Sequence, residues 1–448
     1  MHTIDQLRSG QLAGIQRLNL SCGLEHFPAE IMQLADTLEV LDLSGNALST
    51  LPDDLPRLKK LRVLFCSNNA FHTLPPVLGS CQALSMIGFK ANRIHSVPAA
   101  ALPHTLRWLI LTDNRIAALP DEIGNCSQLQ KLMLAGNQLQ KLPASLSNCT
   151  RLELLRIAAN QLSSLPAWLL QLPRLAWLAY AGNRFCQAAE AETLTNGQIA
   201  DIPWEQLDLA QQLGEGASGT IHQASYQPPA GHRQQVAVKL FKGEVTSDGW
   251  PLSEMAASIH AGQHPNLISV IGKTSQHPAE RNALIMPLIE REFSNLAAPP
   301  SLDSCTRDVY PPGCRFDLPS LLQIAHGVAS AAGHLHQQGI MHGDLYGHNI
   351  LYSDQGRALI GDFGAASFYA ASDKNLADGL QKIEVRAFGC LLEELLARCQ
   401  TREDASEIGH QLDDLTSACL SEEIGLRPLF AQIEARLQQM IQSIATPR

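Results

Sequence analysis

The chain of 448 residues lacks any apolar run of the length, about 18 residues, that a helix needs to cross a bilayer. Its start, Met1 to Gly10, carries Asp5, Arg8 and several polar side chains where a secretory leader needs an unbroken apolar core. Both absences predict a protein without membrane insertion. A basic excess is missing too: 33 Lys and Arg stand against 43 Asp and Glu, for a net charge of −10. A surface built for nucleic acid or anionic lipid calls for the opposite sign. The eleven cysteines show no paired metal-ligand spacing. Cys81, Cys126 and Cys149 instead recur at one position of a repeat, as small buried hydrophobes do. An odd set of scattered thiols fits a reducing compartment, so the expected location is cytoplasmic. The length allows two or three domains, each with its own core.

What the first half does have is a period. From Ile15, a Leu-x-x-Leu-x-Leu-x-x-Asn-x-Leu-x-x-Leu-Pro pattern restarts at Leu38, Leu61, Leu84, Leu106, Leu129, Leu152 and Leu175, every 23 residues and once after 22. This resembles a leucine-rich repeat solenoid, whose units bury their apolar faces only by stacking. The resemblance implies an internal ladder of Asn46, Asn69, Asn92, Asn114, Asn137, Asn160 and Asn183. The first repeat has Gly23 at that position and the last breaks off after Phe185, as terminal caps do.

Each repeat then contributes one parallel strand, and alternation along it sends the third and fifth positions outward. Those positions form an apolar strip of Val40, Val63, Phe65, Met86, Trp108, Ile110, Met133, Leu154 and Trp177, broken by Asp42, Lys131 and Arg156. Such a strip marks a binding surface on the concave face, for a separate protein or peptide or for another part of the same chain. The repeat region is expected over residues 1–185. Residues 186–203, rich in Ala, Glu, Gln and Thr, are expected as a linker or short helix, and 204–448 as a second domain.

The second half carries chemistry-bearing motifs in a fixed order. Leu213-Gly214-Glu215-Gly216-Ala217-Ser218-Gly219-Thr220-Ile221 lies between two strand-like runs, and its glycines let backbone approach phosphates without a Cβ in the way. Val236-Ala237-Val238-Lys239 follows as a strand ending in a cation. Glu254, on a helix predicted over Ser253 to Ala261, stands at a suitable distance to pair with Lys239. Ala283 to Leu288 reads as a buried strand leading into a hinge. A helix over Leu318 to Gln338, terminated by Gly339, delivers the chain to His342-Gly343-Asp344-Leu345-Tyr346-Gly347-His348-Asn349, and Asp362-Phe363-Gly364 follows. The run from Glu290 to Phe316, rich in Pro and Ser, is assigned no chemistry.

From about Trp204 to Leu437 these motifs resemble the protein kinase fold, of its tyrosine-kinase-like branch, fused here to leucine-rich repeats. The implied architecture is α/β overall: a repeat solenoid followed by a bilobal kinase-like α+β domain. The implied cofactors are ATP and magnesium, with manganese as a substitute. Leu213, Gly214, Gly216, Gly219, Ile221, Ala237, Lys239, Met286 and Leu288 would contact the nucleotide, Asn349 and Asp362 the metal. Lys239, Glu254 and Asp344 would be the catalytic set, with Asp344 orienting the acceptor hydroxyl. His342 would be structural, which sets aside a metal reading of His334, His336 and His342. Glu384 stands where the family usually has Asp, and Arg427-Pro428 matches its last helices.

Departures bear on the acceptor side. Gly343 replaces the Arg that usually receives an activation-loop phosphate, and Tyr346 replaces the Lys of serine/threonine kinases. Only Ala365 to Ile383 separate Gly364 from Glu384, and no Ala-Pro-Glu signature occurs, so Arg427 lacks its usual partner. Ser367, Tyr369 and Ser372 are the candidate self-modification sites. Two functions fit: a kinase phosphorylating protein Ser, Thr or Tyr with substrates recruited by the repeats, or an ATP-binding pseudokinase scaffold.

Overall fold

The computed structural model describes residues 2–196, 199–229, 231–400 and 407–445. Two compact units are present. One comprises Met1–Leu175 with Asn183–Phe185; the other comprises Ala176–Gly182 with Cys186–Arg448.

In the first unit a short helix α1 (Ile4–Arg8), capped by Thr3, precedes seven parallel strands: β1 (Arg17–Asn19), β2 (Val40–Asp42), β3 (Val63–Phe65), β4 (Met86–Gly88), β5 (Trp108–Ile110), β6 (Lys131–Met133) and β7 (Leu154–Arg156). Each repeat returns through a short 3₁₀ turn, typically entered from the Pro of the motif, as at Pro98, Pro120 and Pro143. The expected Asn ladder is present. Asn137 donates to Leu111 O at 2.9 Å and accepts from Ile116 N at 3.0 Å, and Asn160 repeats the pattern one turn on. Buried polar backbone is thereby satisfied inside a structure with no long helix to do it. Cys81, Cys126 and Cys149 are buried, and desolvation pushes the first two thiols up to about 11 and the third to about 12.

The outward strip is less open than alternation alone predicts. Val63, Met86 and Leu154 are buried, whereas Phe65, Trp108, Ile110 and Met133 are partly exposed. The cause is register: Val40, Val63, Met86, Trp108, Lys131 and Leu154 stand side by side on adjacent strands. At the strand spacing of about 4.8 Å, long side chains shade their neighbours. The Phe65 ring lies where a Cβ on Gly88 would stand, 2.6 Å away. Lys131 sits 4.5 Å over the Trp108 ring.

The second unit begins inside the last repeat. Its strand β8 (Trp177–Ala179) is buried throughout, and Trp177 is 2% exposed, so this residue is not part of an open partner surface. A helix α2 (Gln187–Asn196) and a strand β9 (Ala200–Pro203) occupy the segment between the repeats and residue 204. β9 joins, as an edge strand parallel to β13 (Gly272–Ser275), a sheet that also contains β10 (Leu207–Glu215), β11 (Gly219–Tyr226), β12 (Gln234–Phe241) and β14 (Ala283–Pro287). The order is β10-β11-β12-β14-β13-β9. Ile202, Leu207, Ala224, Val236, Val238, Leu240, Ala283 and Ile285 form one core of this lobe. Helix α3 (Pro251–His260) lies between β12 and β13 in the chain and belongs to the same lobe.

The other lobe is helical. α4 (Leu318–Gln337) starts at an Asp317 cap that accepts from Ser320 N at 2.8 Å, and eleven of its residues, from Leu321 to His336, are buried. Around it lie α5 (Lys374–Leu396), α6 (Glu407–Leu420) and α7 (Phe430–Ala445), with small hairpins β15 (Ser294–Asn295), β17 (Ile350–Tyr352), β18 (Ala358–Ile360) and the pair β16 (Ile340–Met341) with β19 (Ser367–Phe368). No helix among the described residues is long and apolar enough to cross a membrane.

Candidate nucleotide and phosphoryl-transfer site

A cavity of about 690 Å³ lies between the lobes, and all nine residues expected at the nucleotide line it: Leu213, Gly214, Gly216, Gly219, Ile221, Ala237, Lys239, Met286 and Leu288. The sheet sets their placement. β10 and β11 turn over at the glycine run, and Gly214 and Gly216 face open space. Gly219 is different: a Cβ there would stand 2.4 Å from Leu240 O, so this glycine is demanded by strand packing. Ala237 pairs with Met286 across β12 and β14, which brings the hinge beside the strand that carries Lys239.

Lys239 and Glu254 form a hydrogen-bonded ion pair, with side chains 14% and 3% exposed. Burial pushes the Lys239 amine down, but the Glu254 and Asp362 carboxylates more than offset it and hold the group above its ordinary value. Asp362 has a left-handed backbone, φ +51°, and its carboxylate accepts from Gly364 N at 3.1 Å. Such a conformation costs a non-glycine residue energy and recurs where a side chain must be aimed. Asp362 and Glu254 line the cavity.

Asp344 and Asn349 come together beside it. Asn349 Nδ2 donates to Asp344 O at 2.9 Å and to Asp344 Oδ2 at 2.7 Å, which commits the amide nitrogen and leaves Asn349 Oδ1 as the acceptor available to a cation. Oxygen donors of this kind, with the Asp362 carboxylate, suit magnesium or manganese, and the Lys239 cation on the cavity wall suits a polyphosphate. The loop is held from below by α5: Glu384 accepts from Gly343 N at 2.7 Å, His342 N at 3.2 Å and His336 Nε2 at 2.8 Å. Burial alone would raise the Glu384 carboxyl, yet the His336 bond and the backbone donors hold it below its ordinary value. His342 donates from Nε2 to Gly361 O at 2.9 Å and accepts at Nδ1 from Asp344 N at 3.3 Å, so its ring is held at both ends.

One residue of this neighbourhood has no signal in the sequence pattern. Asp308, from the run assigned no chemistry, is buried and accepts from His348 N at 3.1 Å and from His348 Nδ1 at 2.7 Å. Burial lowers the His348 imidazole, but Asp308, aided by Asp344 and Asp362, raises it above its ordinary value. Arg427 donates to two backbone carbonyls, Ser421 O at 2.8 Å and Lys382 O at 3.0 Å. Of the candidate modification sites, Ser367 is fully buried, Tyr369 is bonded to His336, and Ser372 is exposed.

A glycine-rich flap, a buried Lys–Glu pair and paired Asp/Asn and Asp groups across a two-lobed cleft define a protein kinase domain. Comparison with known proteins agrees: residues 207–390 match the family of protein tyrosine and serine/threonine kinases, and residues 37–58 and 104–162 match leucine-rich repeats. The chain thus carries leucine-rich repeats N-terminal to a protein kinase domain. It is 26% identical over 304 residues to the serine/threonine-protein kinase CTR1 of Arabidopsis thaliana, covering 58% of this chain and 34% of that protein. It is 25% identical over 287 residues to the tyrosine-protein kinase transforming protein RYK of avian retrovirus RPL30, covering 54% of this chain and 63% of that one. To the mouse proto-oncogene serine/threonine-protein kinase mos it is 31% identical over 174 residues, 37% of this chain and 48% of that one. The chain therefore spans less than two thirds of each of these relatives.

Proposed function

We infer that the protein is an ATP-dependent protein kinase that moves the γ-phosphoryl group to a serine or threonine hydroxyl, with tyrosine as the second choice of acceptor. The observation that carries this reading is the assembled cleft: Lys239 paired with Glu254, and Asp362 in a left-handed turn at one end of the same cavity. Magnesium-ATP would supply the group transferred and neutralise charge between its phosphates. Lys239, kept cationic by Glu254, holds the phosphates. Asn349 Oδ1 and Asp362 hold the metal, and Asp344 orients the hydroxyl, its carboxylate steadied by the Asn349 amide. The partly exposed Phe65, Trp108, Ile110 and Met133 on the repeat strands supply the surface for a protein or peptide substrate or partner. The odd number of cysteines, scattered without paired spacing, supports a cytoplasmic location. The working division is repeats over 1–185, a connector over 186–203 and the kinase domain over 204–448, with 176–182 serving the latter.

The test is transfer of labelled phosphate from magnesium-ATP to a generic acceptor or to the chain itself. Lys239→Met and Asp344→Asn are each expected to lower transfer by at least about a hundredfold with the melting temperature little changed. Near-normal turnover by either purified variant sinks the assignment.

A second reading, an ATP-binding scaffold, is favoured by one feature: only residues 365–373 separate the Asp-Phe-Gly turn from α5, a short platform for an acceptor. It predicts stabilisation by magnesium-ATP with no phosphate transferred to any protein.

A further inference from the structure

The loop that carries Asp344 is gripped from a direction that the kinase motifs do not account for. The strand of the last repeat, β8, belongs to the same compact unit as this loop and touches it at Trp177 and Leu178, and the next residue after the strand, Tyr180, reaches the segment beyond it. The Trp177 indole stacks face to face on Tyr346, with ring centroids 4.2 Å apart and planes within 5°, and its Nε1 donates to Leu345 O at 3.3 Å. Leu178 O lies 2.5 Å from the point where a Cβ on residue 343 would stand, with Ala365 O 2.7 Å from that point, and Gly343 has φ +75°. Tyr180 N donates to Ser367 Oγ at 3.0 Å, and that hydroxyl donates to Ala365 O at 3.2 Å, so the segment just past Asp362-Phe363-Gly364 is tied to the same strand. Trp177, Tyr180, Tyr346 and Ser367 are all buried.

The residues on both sides of Asp344 are therefore set by β8. Gly343 is packed against the Leu178 carbonyl, and Leu345 and Tyr346 against the Trp177 ring. An acceptor hydroxyl has to be held within a fraction of an ångström for efficient transfer, and the loop that does this is only as rigid as what packs on it. The short stretch 365–373 leaves little chain to provide that packing, and Trp177 provides it.

We propose that Trp177 is a positioning residue for phosphoryl transfer, acting through Leu345 and Tyr346 on Asp344. The proposal rests on the kinase reading above. Trp177→Leu removes both the stack and the donated hydrogen bond. In the full chain it is expected to lower kcat by about ten- to a hundredfold, while KM for ATP and the melting shift produced by magnesium-ATP stay within about twofold of the unsubstituted protein. Trp177→Phe keeps a ring on Tyr346 and loses only the N–H, and is expected to lower kcat by about three- to fivefold with KM unchanged, a smaller loss than the leucine variant's. It also carries the test should the leucine variant fail to fold, a kcat loss of about threefold or more without a KM change being the supporting result.

A kcat within twofold of normal in Trp177→Leu overturns the proposal and leaves the kinase reading intact. So does a proportional loss of ATP affinity, which would mean a general collapse of the cleft. An unsubstituted chain that binds magnesium-ATP but transfers phosphate to nothing overturns the kinase reading, and the positioning role falls with it.

Discussion

Glu394 is a carboxyl whose ionisation the fold resists. Its side chain is 13% exposed and its carboxyl is pushed up to about 7 from the ordinary 4.5, desolvation outweighing the nearby Arg307. Its oxygens meet Tyr310 OH at 3.2 Å and Arg307 Nη1 at 3.3 Å. Because the folded state binds this proton more tightly than the unfolded chain does, the associated stability is complete below pH 4.5 and is lost as pH rises through about 7. Glu394→Gln cannot ionise. Its melting temperature should match that of the natural protein at pH 4 and exceed it at pH 8 by several degrees, equivalent to roughly 1–3 kcal/mol. Equal melting curves at both pH values would remove Glu394 from the account. Asp308 belongs to the same neighbourhood, through Tyr310 and His348. Asp308→Ala strands a half-buried imidazole and a backbone N–H, so it should cost about 2–4 kcal/mol in a denaturant titration and also slow transfer. Neither residue was legible. They sit in or against a Pro- and Ser-rich run without periodicity, where burial and charge depend on contacts to parts of the chain 40 residues away.

At the scale of elements, the motifs with local signals came out where the sequence placed them. A glycine run between strands makes the flap, and a strand ending in Lys followed by an amphipathic helix brings Glu254 to Lys239. The Asn ladder was equally plain, since the repeat period fixes its partners. β8 was not. Its residues obey the same repeat register as β1 to β7, and register says nothing about which unit a strand packs into. The contact at Gly343 is made by the carbonyl of Leu178, and backbone atoms leave no trace in a side-chain pattern. The absence of Arg at 343 was visible beforehand, but not its cause. Val63, Met86 and Leu154 show the complementary failure: alternation gives the direction of a side chain and omits the bulk of its neighbours.

For the whole molecule, the boundary between units does not follow the boundary between sequence motifs. The chain leaves the first unit at Ala176, returns at Asn183 and departs again after Phe185. A chain cut to residues 186–448 contains every kinase motif yet lacks β8, so Tyr346 and the Leu345 carbonyl lose their cover. Such a fragment should melt roughly 10 °C below one cut to residues 176–448, from the loss of one fully buried Trp and its hydrogen bond. Calorimetry or dye-monitored melting of the two fragments decides it, and coincident transitions would mean that β8 contributes nothing to the fold it packs into.

The crowding at Gly343 also constrains ancestry. An arginine at this position and a repeat strand against it exclude one another, because any Cβ there meets two carbonyl oxygens at under 3 Å. Descent from an arginine-bearing kinase thus requires an order of events: loss of the side chain first, capture of the strand second. Gly343→Ala and Trp177→Leu should accordingly be epistatic, their combined cost falling well short of the sum of the two single costs.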